Sequence, residues 1–452
     1  MAEKATKKYT MDLCEGPILK KIILFSFPLI ASSILQLLFN AVDVMVVGKF
    51  AGDNALAAVG SNGPIVNLIV NVFMGLSIGT NVLSARYFAG KKEEELRKTV
   101  HTAITLSIIC GIVLIAVGGL AAKQLLIWTQ SPPEVIDLAT LYLRIYFLGM
   151  PASMLYNFGA AILRGVGDTK RPLYYLTFSG VVNVVLNLLF VIVFHLDVAG
   201  VAIATVISQC ISAVLVLRCL AKESGAIRLE RKYLGIDKDI LIDTMKIGIP
   251  AGIQSSMFSL SNVVVQSSIN SFGNIIMAGN AAAQNIESFL AMAIKALSQA
   301  TVAFVSQNVG AGKYDRVNKI LGTILMCVIV VDGTMGMIAY FGGRPLLGLY
   351  SNSAEVIEAG MVRISIACTL HILYGAMDVM ADAMRGLGHS VMPMIVSLLG
   401  VCAFRVAWIT ILFQNPAFHT IQTIYYAYPI SWGVTLAVHT MCFLIVRRKY
   451  KR

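Results

Sequence analysis

The sequence predicts an all-α polytopic membrane protein, with twelve transmembrane helices arranged as two parallel six-helix repeats around a central cavity. Three observations predict it. Of 452 residues, 57% are hydrophobic and 13% charged, with a mean hydropathy of +0.77. That is about half the charged share of an ordinary soluble domain. Apolar runs of about 20 residues, the length that crosses a bilayer, recur twelve times. The two halves of the chain also resemble each other in order and in register. Such a composition excludes a soluble globular enzyme, a disordered chain and a nucleic-acid-binding domain. The net charge of +12 is too thinly spread to form a basic stripe.

Residues 1–21 are polar and basic and read as a cytoplasmic tail. The apolar run behind them is too long for a signal h-region, and no small-residue cleavage site precedes it. The first lobe, 22–217, holds spans with cores at 22–47, 57–84, 99–121, 138–163, 173–194 and 198–217. The stretch 218–246 is the longest polar segment and reads as a cytoplasmic linker. The second lobe, 247–446, holds cores at 247–270, 280–306, 320–341, 360–384, 392–413 and 424–446. A basic tail, 447–452, ends the chain. Long continuous runs argue for helices over a β-barrel, whose strands are short and alternate.

Charge placement fixes the topology. Of 36 Lys and Arg residues, 29 fall in segments on the side of the termini and three (Lys49, Lys123, Arg344) on the other. Four lie inside spans. Basic loops stay cytoplasmic, so both termini are expected in the cytoplasm, and the +12 marks topology and contact with anionic lipid headgroups.

The repeat has an offset of about 221. Arg164-Gly165-Val166-Gly167 with Pro172 matches Arg385-Gly386-Leu387-Gly388 with Pro393. Glu134-Val135-Ile136 matches Glu355-Val356-Ile357. Leu76-Ser77 and Thr80 match Leu297-Ser298 and Thr301. Pro28 and Asn40 match Pro250 and Asn262 at 222, as Gly90-Lys91 matches Gly312-Lys313. The offset crosses an even number of helices, so both halves share one orientation. That is the plan of secondary transporters with a midplane substrate site between halves. Plain duplication of a helical bundle is the alternative.

Polar groups within spans are costly and need a reason. Span one carries Gln36, Asn40 and Asp43 on one face, spaced i, i+4, i+7, with Pro28 upstream to kink the helix. A buried carboxylate flanked by amides can take up a proton, or bind sodium with amide oxygens completing the shell. Solvation of Asp43 near the outer interface is the other reading. Asn183 and Asn187 in span five, like Asn67 and Asn71 in span two, are one turn apart. Interhelical hydrogen bonding is the plain explanation for such pairs, and the one preferred for span two.

In the second half, Ser255, Ser259, Asn262 and Gln266 form a stripe on span seven. Span eight carries Asn280, Gln284, Glu287 and Lys295. Glu287 and Lys295 share a face two turns apart, too far to bond directly, and Lys295 either neutralises another carboxylate or snorkels. Asp378 and Asp382 in span ten lie one turn apart beside Tyr374, a spacing that favours a shared proton. Asp382 reads equally as an interfacial residue beside Arg385. Asp332 belongs to no stripe and reads as structural. Arg405 is expected to pair with one of the carboxylates.

No nucleotide-binding G-x-x-x-x-G-K-[ST] loop, H-E-x-x-H or G-x-S-x-G occurs. Enzyme activity and cofactors are therefore not expected. The eight cysteines form no C-x-x-C and suggest neither disulfides nor a metal site. The six histidines, including His195 and His389, are expected mostly at solvated span ends.

These residues resemble the multidrug and toxic compound extrusion (MATE) family, prokaryotic type, over about 18–446. Span one reads Pro28-Leu29, Asn40-Ala41-Val42-Asp43 and Val47-Gly48, much like the family's opening helix. The loop Arg164-Gly165-x-Gly167-Asp168-Thr169-x-x-Pro172 and its copy at 385–393 look like the family's paired loops. Glu287-Ser288-Phe289, Leu297-Ser298-Gln299-Ala300 and Gln307-Asn308-x-Gly310-Ala311-Gly312 are similar too. The resemblance implies cation-coupled antiport by alternating access, with a proton or sodium as coupling ion. It places the coupling site, and any sodium, at Asp43, Asn183 and Asn187, with Asn40 and Gln36 on the same face as Asp43. Many members carry Asp where this chain has Asn187, which leaves Asp43 the only carboxylate of that cluster. Glu287, Gln284, Asp378, Asp382, Asn262, Gln266, Lys295 and Arg405 make up the second candidate site.

The expected substrates are small amphipathic organic cations, held by apolar and aromatic walls and a few carboxylates. The expected setting is a monomer in the bacterial inner membrane, in contact with lipids and with no nucleic acid. A flippase for lipid-linked oligosaccharide or another amphipathic lipid is the rival among transporters. A non-transporting scaffold or channel subunit is the rival of another class.

Overall fold

The computed structural model describes residues 9–128 and 133–448. The rest of the expected terminal tails, 1–8 and 449–452, lies outside the described residues. Among the described residues the regular secondary structure is all helical, with no strand. In the first half α1 spans Ile18–Phe50, α2 Gly63–Ala89 and α3 Glu93–Trp128. The broken α4 is Pro133–Leu148 with Met150–Gly165, then come α5 over Lys170–Val193 and α6 over Asp197–Lys222. In the second half α7 spans Lys238–Asn270, α8 Asn274–Gly310 and α9 Tyr314–Phe341. The broken α10 is Ala354–Cys368 with His371–Gly386, followed by α11 over Val391–Leu412 and α12 over Ile421–Arg448.

Eight of these are long and apolar enough to cross a membrane singly, and α4 and α10 qualify as bent pairs. With α2 and the more polar α7 they make the expected twelve. Helices overrun their apolar cores because the flanking Lys, Glu and Arg are good helix formers. The segment 218–246 therefore begins as the last turn of α6 and ends as the first turns of α7. Asp237 caps α7: its Oδ1 accepts from the backbone N–H groups of Asp239 and Ile240, both at 3.1 Å. Those bonds, together with Lys98 at 3.3 Å, hold its carboxyl below the usual carboxylate range.

The two bends have local causes. In α4 the 47° bend falls beside Pro151, which cannot donate to the preceding turn. In α10 the 42° bend follows a π-helical turn, Ile364–Cys368, where the backbone ladder is already out of α-register.

The repeat is visible in the backbone. Left-handed positions recur 221 residues apart: Gly52 with Gly273 (both φ 89°), Lys91 with Gly312 (53° and 70°), and Gly167 with Gly388 (93° and 91°). The sequence pairs Gly90 with Gly312. The backbone instead pairs Lys91 with Gly312, because the left-handed residue after α2 is Lys91.

Contacts divide the chain into two compact units. One takes the described part of Met1–Asp12 with Ala31–Gly252, and the other takes Leu13–Ile30 with Ile253–Arg452. The core of the first centres on α3, α4 and α6, with Leu143, Phe147, Met150 and Phe158 fully enclosed. The core of the second is aromatic, built on Tyr425, Tyr428 and Trp432 of α12. In that unit Phe25 packs edge-on against Phe304 at 5.6 Å.

The outward faces are apolar. Phe178, Val181 and Val185 on α5, and Met326, Ile329 and Val330 on α9, are all more than half exposed. Apolar stripes of this extent suit hydrocarbon and not water.

Candidate functional site

In the first unit α1 meets α5. A Cβ at Gly180 would lie 1.8 Å from the Phe39 ring, so the two helices approach closely only because position 180 lacks a side chain. One turn beyond Phe39 stands Asp43, and two turns beyond Gly180 stands Asn187. Asn187 Nδ2 donates to Asp43 Oδ1 and lies 3.3 Å from Asn183 Oδ1. Asn183 Nδ2 in turn reaches Thr205 Oγ1 of α6 at 3.5 Å. Asn183 and Asn187 are buried and Asp43 is half-buried.

Asn187 Oδ1 is buried without a hydrogen-bond partner among the described residues. An orphaned acceptor beside a carboxylate can receive a proton donor or a hard cation, which takes oxygen ligands. So Asp43, Asn183 and Asn187, grouped in the sequence reading, come together. Gln36 and Asn40 are exposed and make no contact with this cluster among the described residues.

The second unit holds a longer polar chain. Arg363 of α10 donates from Nε and Nη2 to Glu287 Oε2 of α8, at 3.0 and 2.7 Å. Its Nη1 reaches Asn280 Oδ1 at 2.8 Å. Asn280 Nδ2 donates to Gln266 Oε1 at 3.0 Å, and Gln266 donates to Asn270 at 2.8 Å. Arg405 of α11 donates to Ser431 Oγ at 3.0 Å and Asn262 Oδ1 at 3.3 Å. Tyr428 lies between the two guanidinium groups, 5.1 Å from Arg363 and 4.3 Å from Arg405.

Several sequence expectations are corrected here. Arg405 pairs with no carboxylate among the described residues; its donors go to Ser431 and Asn262, while Glu287 is held by Arg363. Asp378 and Asp382 share a helix face yet have separate partners and no mutual bond, so of the two readings it is the placement of Asp382 beside Arg385 that the structure bears out. Asp378 accepts from Ser298 Oγ at 2.8 Å. Asp382 accepts from Arg385, whose other nitrogen donates to Gln254 at 2.7 Å. Gln284 is exposed, and Lys295 is exposed as well, which is compatible with a snorkelling side chain.

The histidines depart most. His101, His371 and His439 are buried. His371 Nδ1 lies 2.9 and 3.0 Å from the two oxygens of Asp332. Sequence reading missed Arg363 and His371 as partners. Their contacts with Glu287 and Asp332 join helices far apart in the chain, and no local spacing signals them.

Compared with known proteins, the chain matches the MatE family model twice, over residues 28–189 and 250–409. It is 28% identical over 420 residues to the Probable multidrug resistance protein YoeA of Bacillus subtilis, covering 91% of this chain and 90% of that one. It is 24% identical over 355 residues to the FAD transporter of Shewanella oneidensis, covering 76% and 77%. Among solved structures it is similar to a MOP superfamily transporter from Pyrococcus furiosus, with a TM-score of 0.90 at 20% identity over 97% of this chain and 98% of that one.

Proposed function

The chain belongs to the MatE family, and from that membership we propose that it is a secondary active multidrug efflux transporter. It exchanges cytoplasmic amphipathic organic cations for protons or sodium by alternating access. As a family member it is a multi-pass membrane transporter and not an enzyme. The relatives named for multidrug resistance support small-molecule substrates. The 29 basic residues on the side of the termini support cytoplasmic ends in a bacterial inner membrane, and the protein acts as a monomer.

One observation carries the coupling step: the bond from Asn187 of α5 to Asp43 of α1. While Asp43 is ionised it accepts that bond and ties the two helices. Protonation turns one of its oxygens into a donor, whose natural acceptor is the unpartnered Asn187 Oδ1. A sodium ion would instead draw on Asp43 and the Asn187 and Asn183 oxygens as ligands. Either ion rewrites the contact between α1 and α5. Coupling requires that the ion and the substrate favour different states, and an ion that rewrites the α1–α5 contact gains such a preference from it.

The test is purified protein in proteoliposomes loaded with a fluorescent organic cation, under an imposed proton or sodium gradient. Wild-type protein should move the dye with one of the two gradients, and Asp43→Asn should not. Unchanged gradient-driven efflux in Asp43→Asn would sink the proposal.

A second reading, an anionic amphipathic substrate such as a lipid-linked sugar, is favoured by Arg405. That guanidinium is buried over Tyr428, and its hydrogen-bond partners among the described residues are neutral. An anionic dye in the same assay separates the two.

A further inference from the structure

We propose that the basic end of the second unit binds the phosphate headgroup of an anionic membrane lipid. The site lies between the start of α9, the turn after α10 and the last turn of α12. A cavity of about 500 Å³ opens there, lined by Lys313, Arg316, Lys319, Leu387, Phe443 and Arg447. Four of these are basic, and Asp315 is the one acid of the lining.

The positive charge is only partly neutralised from within. Lys313 Nζ reaches Glu15 at 3.2 Å, in an exposed pair. Arg316 Nη2 donates to the carbonyls of Glu15 and Gly16, at 3.0 and 2.6 Å, while its Nε is buried without a hydrogen-bond partner among the described residues. Lys319 and Arg447 form no ion pair among the described residues. The first turn of α9 adds to the field. Its N-cap residue is Lys313, whose side chain does not cap the helix. The first turn of this 28-residue helix lines the cavity and brings the positive end of the helix dipole to it.

The apolar surroundings select the source of the anion. Phe443 and Leu387 are buried in the cavity wall. Within the two turns before Arg447, the α12 residues Met441, Leu444 and Ile445 are exposed and apolar. Cationic pocket and hydrocarbon-facing surface thus lie side by side on α12. A ligand spanning both has a phosphate head and acyl chains. A free phosphate ester could use only the pocket. Each Lys or Arg near the membrane surface attracts anionic lipid, so four together define a preferred headgroup position. The proposal concerns lipid binding alone and stands or falls independently of the coupling at Asp43.

The test is native mass spectrometry of the full chain. Protein in detergent is equilibrated with equal amounts of phosphatidylglycerol and phosphatidylcholine, with and without millimolar glycerol 3-phosphate. Wild-type protein should retain phosphatidylglycerol in preference. Lys319→Ala/Arg447→Ala should lower that retention about tenfold or more, given two lost cations. Lys319→Arg/Arg447→Lys should keep it, and so should Arg228→Ala/Arg231→Ala, which removes two cations from the loop between α6 and α7. Equal retention of the two lipids would overturn the proposal, as would no loss in the double alanine variant. Displacement of the lipid by glycerol 3-phosphate would show that the pocket serves a soluble phosphate ester, and would overturn the lipid assignment.

Discussion

Asn187 donates to Asp43 across the α1–α5 contact while its own Oδ1 has no hydrogen-bond partner. A hydrogen bond to a charged group is worth about 1.5–3 kcal/mol, so its loss should be felt in any state that depends on it. Asn187→Leu keeps the volume and removes both donor and orphan acceptor. Gradient-driven dye efflux should fall about tenfold or more, and thermal stability should fall as well, since Asp43 and Asn183 lose their donor. Efflux at the wild-type rate in proteoliposomes would remove Asn187 from the coupling step.

Arg363 and Glu287 give a prediction about stability. Two of the three guanidinium bonds go to one carboxylate oxygen within the second unit. Removing one partner strands a buried charge, which costs about 3–5 kcal/mol, whereas replacing both with apolar residues is often near neutral. Glu287→Ala should therefore lower the detergent melting temperature more than Glu287→Ala/Arg363→Met does. The interaction term of the double-mutant cycle reports the pair. Purely additive losses would contradict the reading.

The His371–Asp332 pair fastens the start of the second segment of α10 to α9, next to the 42° bend. Asp332→Asn retains an oxygen to accept from His371 and should cost under about 1 kcal/mol. Asp332→Ala leaves a buried nitrogen without its partner and should cost about 1–3 kcal/mol. Thermal unfolding followed by fluorescence distinguishes the two. Equal losses for Asn and Ala would mean the bond contributes nothing.

The fold was legible because its determinants are local or periodic. Apolar runs mark spans, basic residues mark sides, and the offset between Arg164-Gly165 and Arg385-Gly386 marks the repeat. Part of the candidate site was legible for the same reason: Asn183 and Asn187 lie one turn apart and therefore share a face. The same rule grouped Gln36 and Asn40 with Asp43. Yet the face of α1 is wider than its contact with α5, and only Asp43 reaches across. Asp378 and Asp382 show the limit again. Helical spacing gives a shared face, but Ser298 and Arg385 decide the bonds. Arg363 and His371 were not legible at all as partners. Each pairs with a residue on another helix, and a lone charged residue in a span does not announce which helix will face it.

Gly167 provides a test of backbone geometry with an internal control. Its φ is 93°, and a Cβ there would lie 2.2 Å from the Met11 carbonyl oxygen. Gly273 has nearly the same φ, 89°, with nothing within 4 Å of its Cβ position. Alanine at either position meets left-handed strain, of about 1–2 kcal/mol. Only at 167 must it also displace a backbone atom, which has no flexible end to swing away. Gly167→Ala should therefore destabilise clearly more than Gly273→Ala in the same melting assay. Equal effects would mean that strain alone matters and that the segment around Met11 yields freely. A larger loss at 167 would show that this turn, the counterpart of the one at Gly388, is fixed by the chain packed against it.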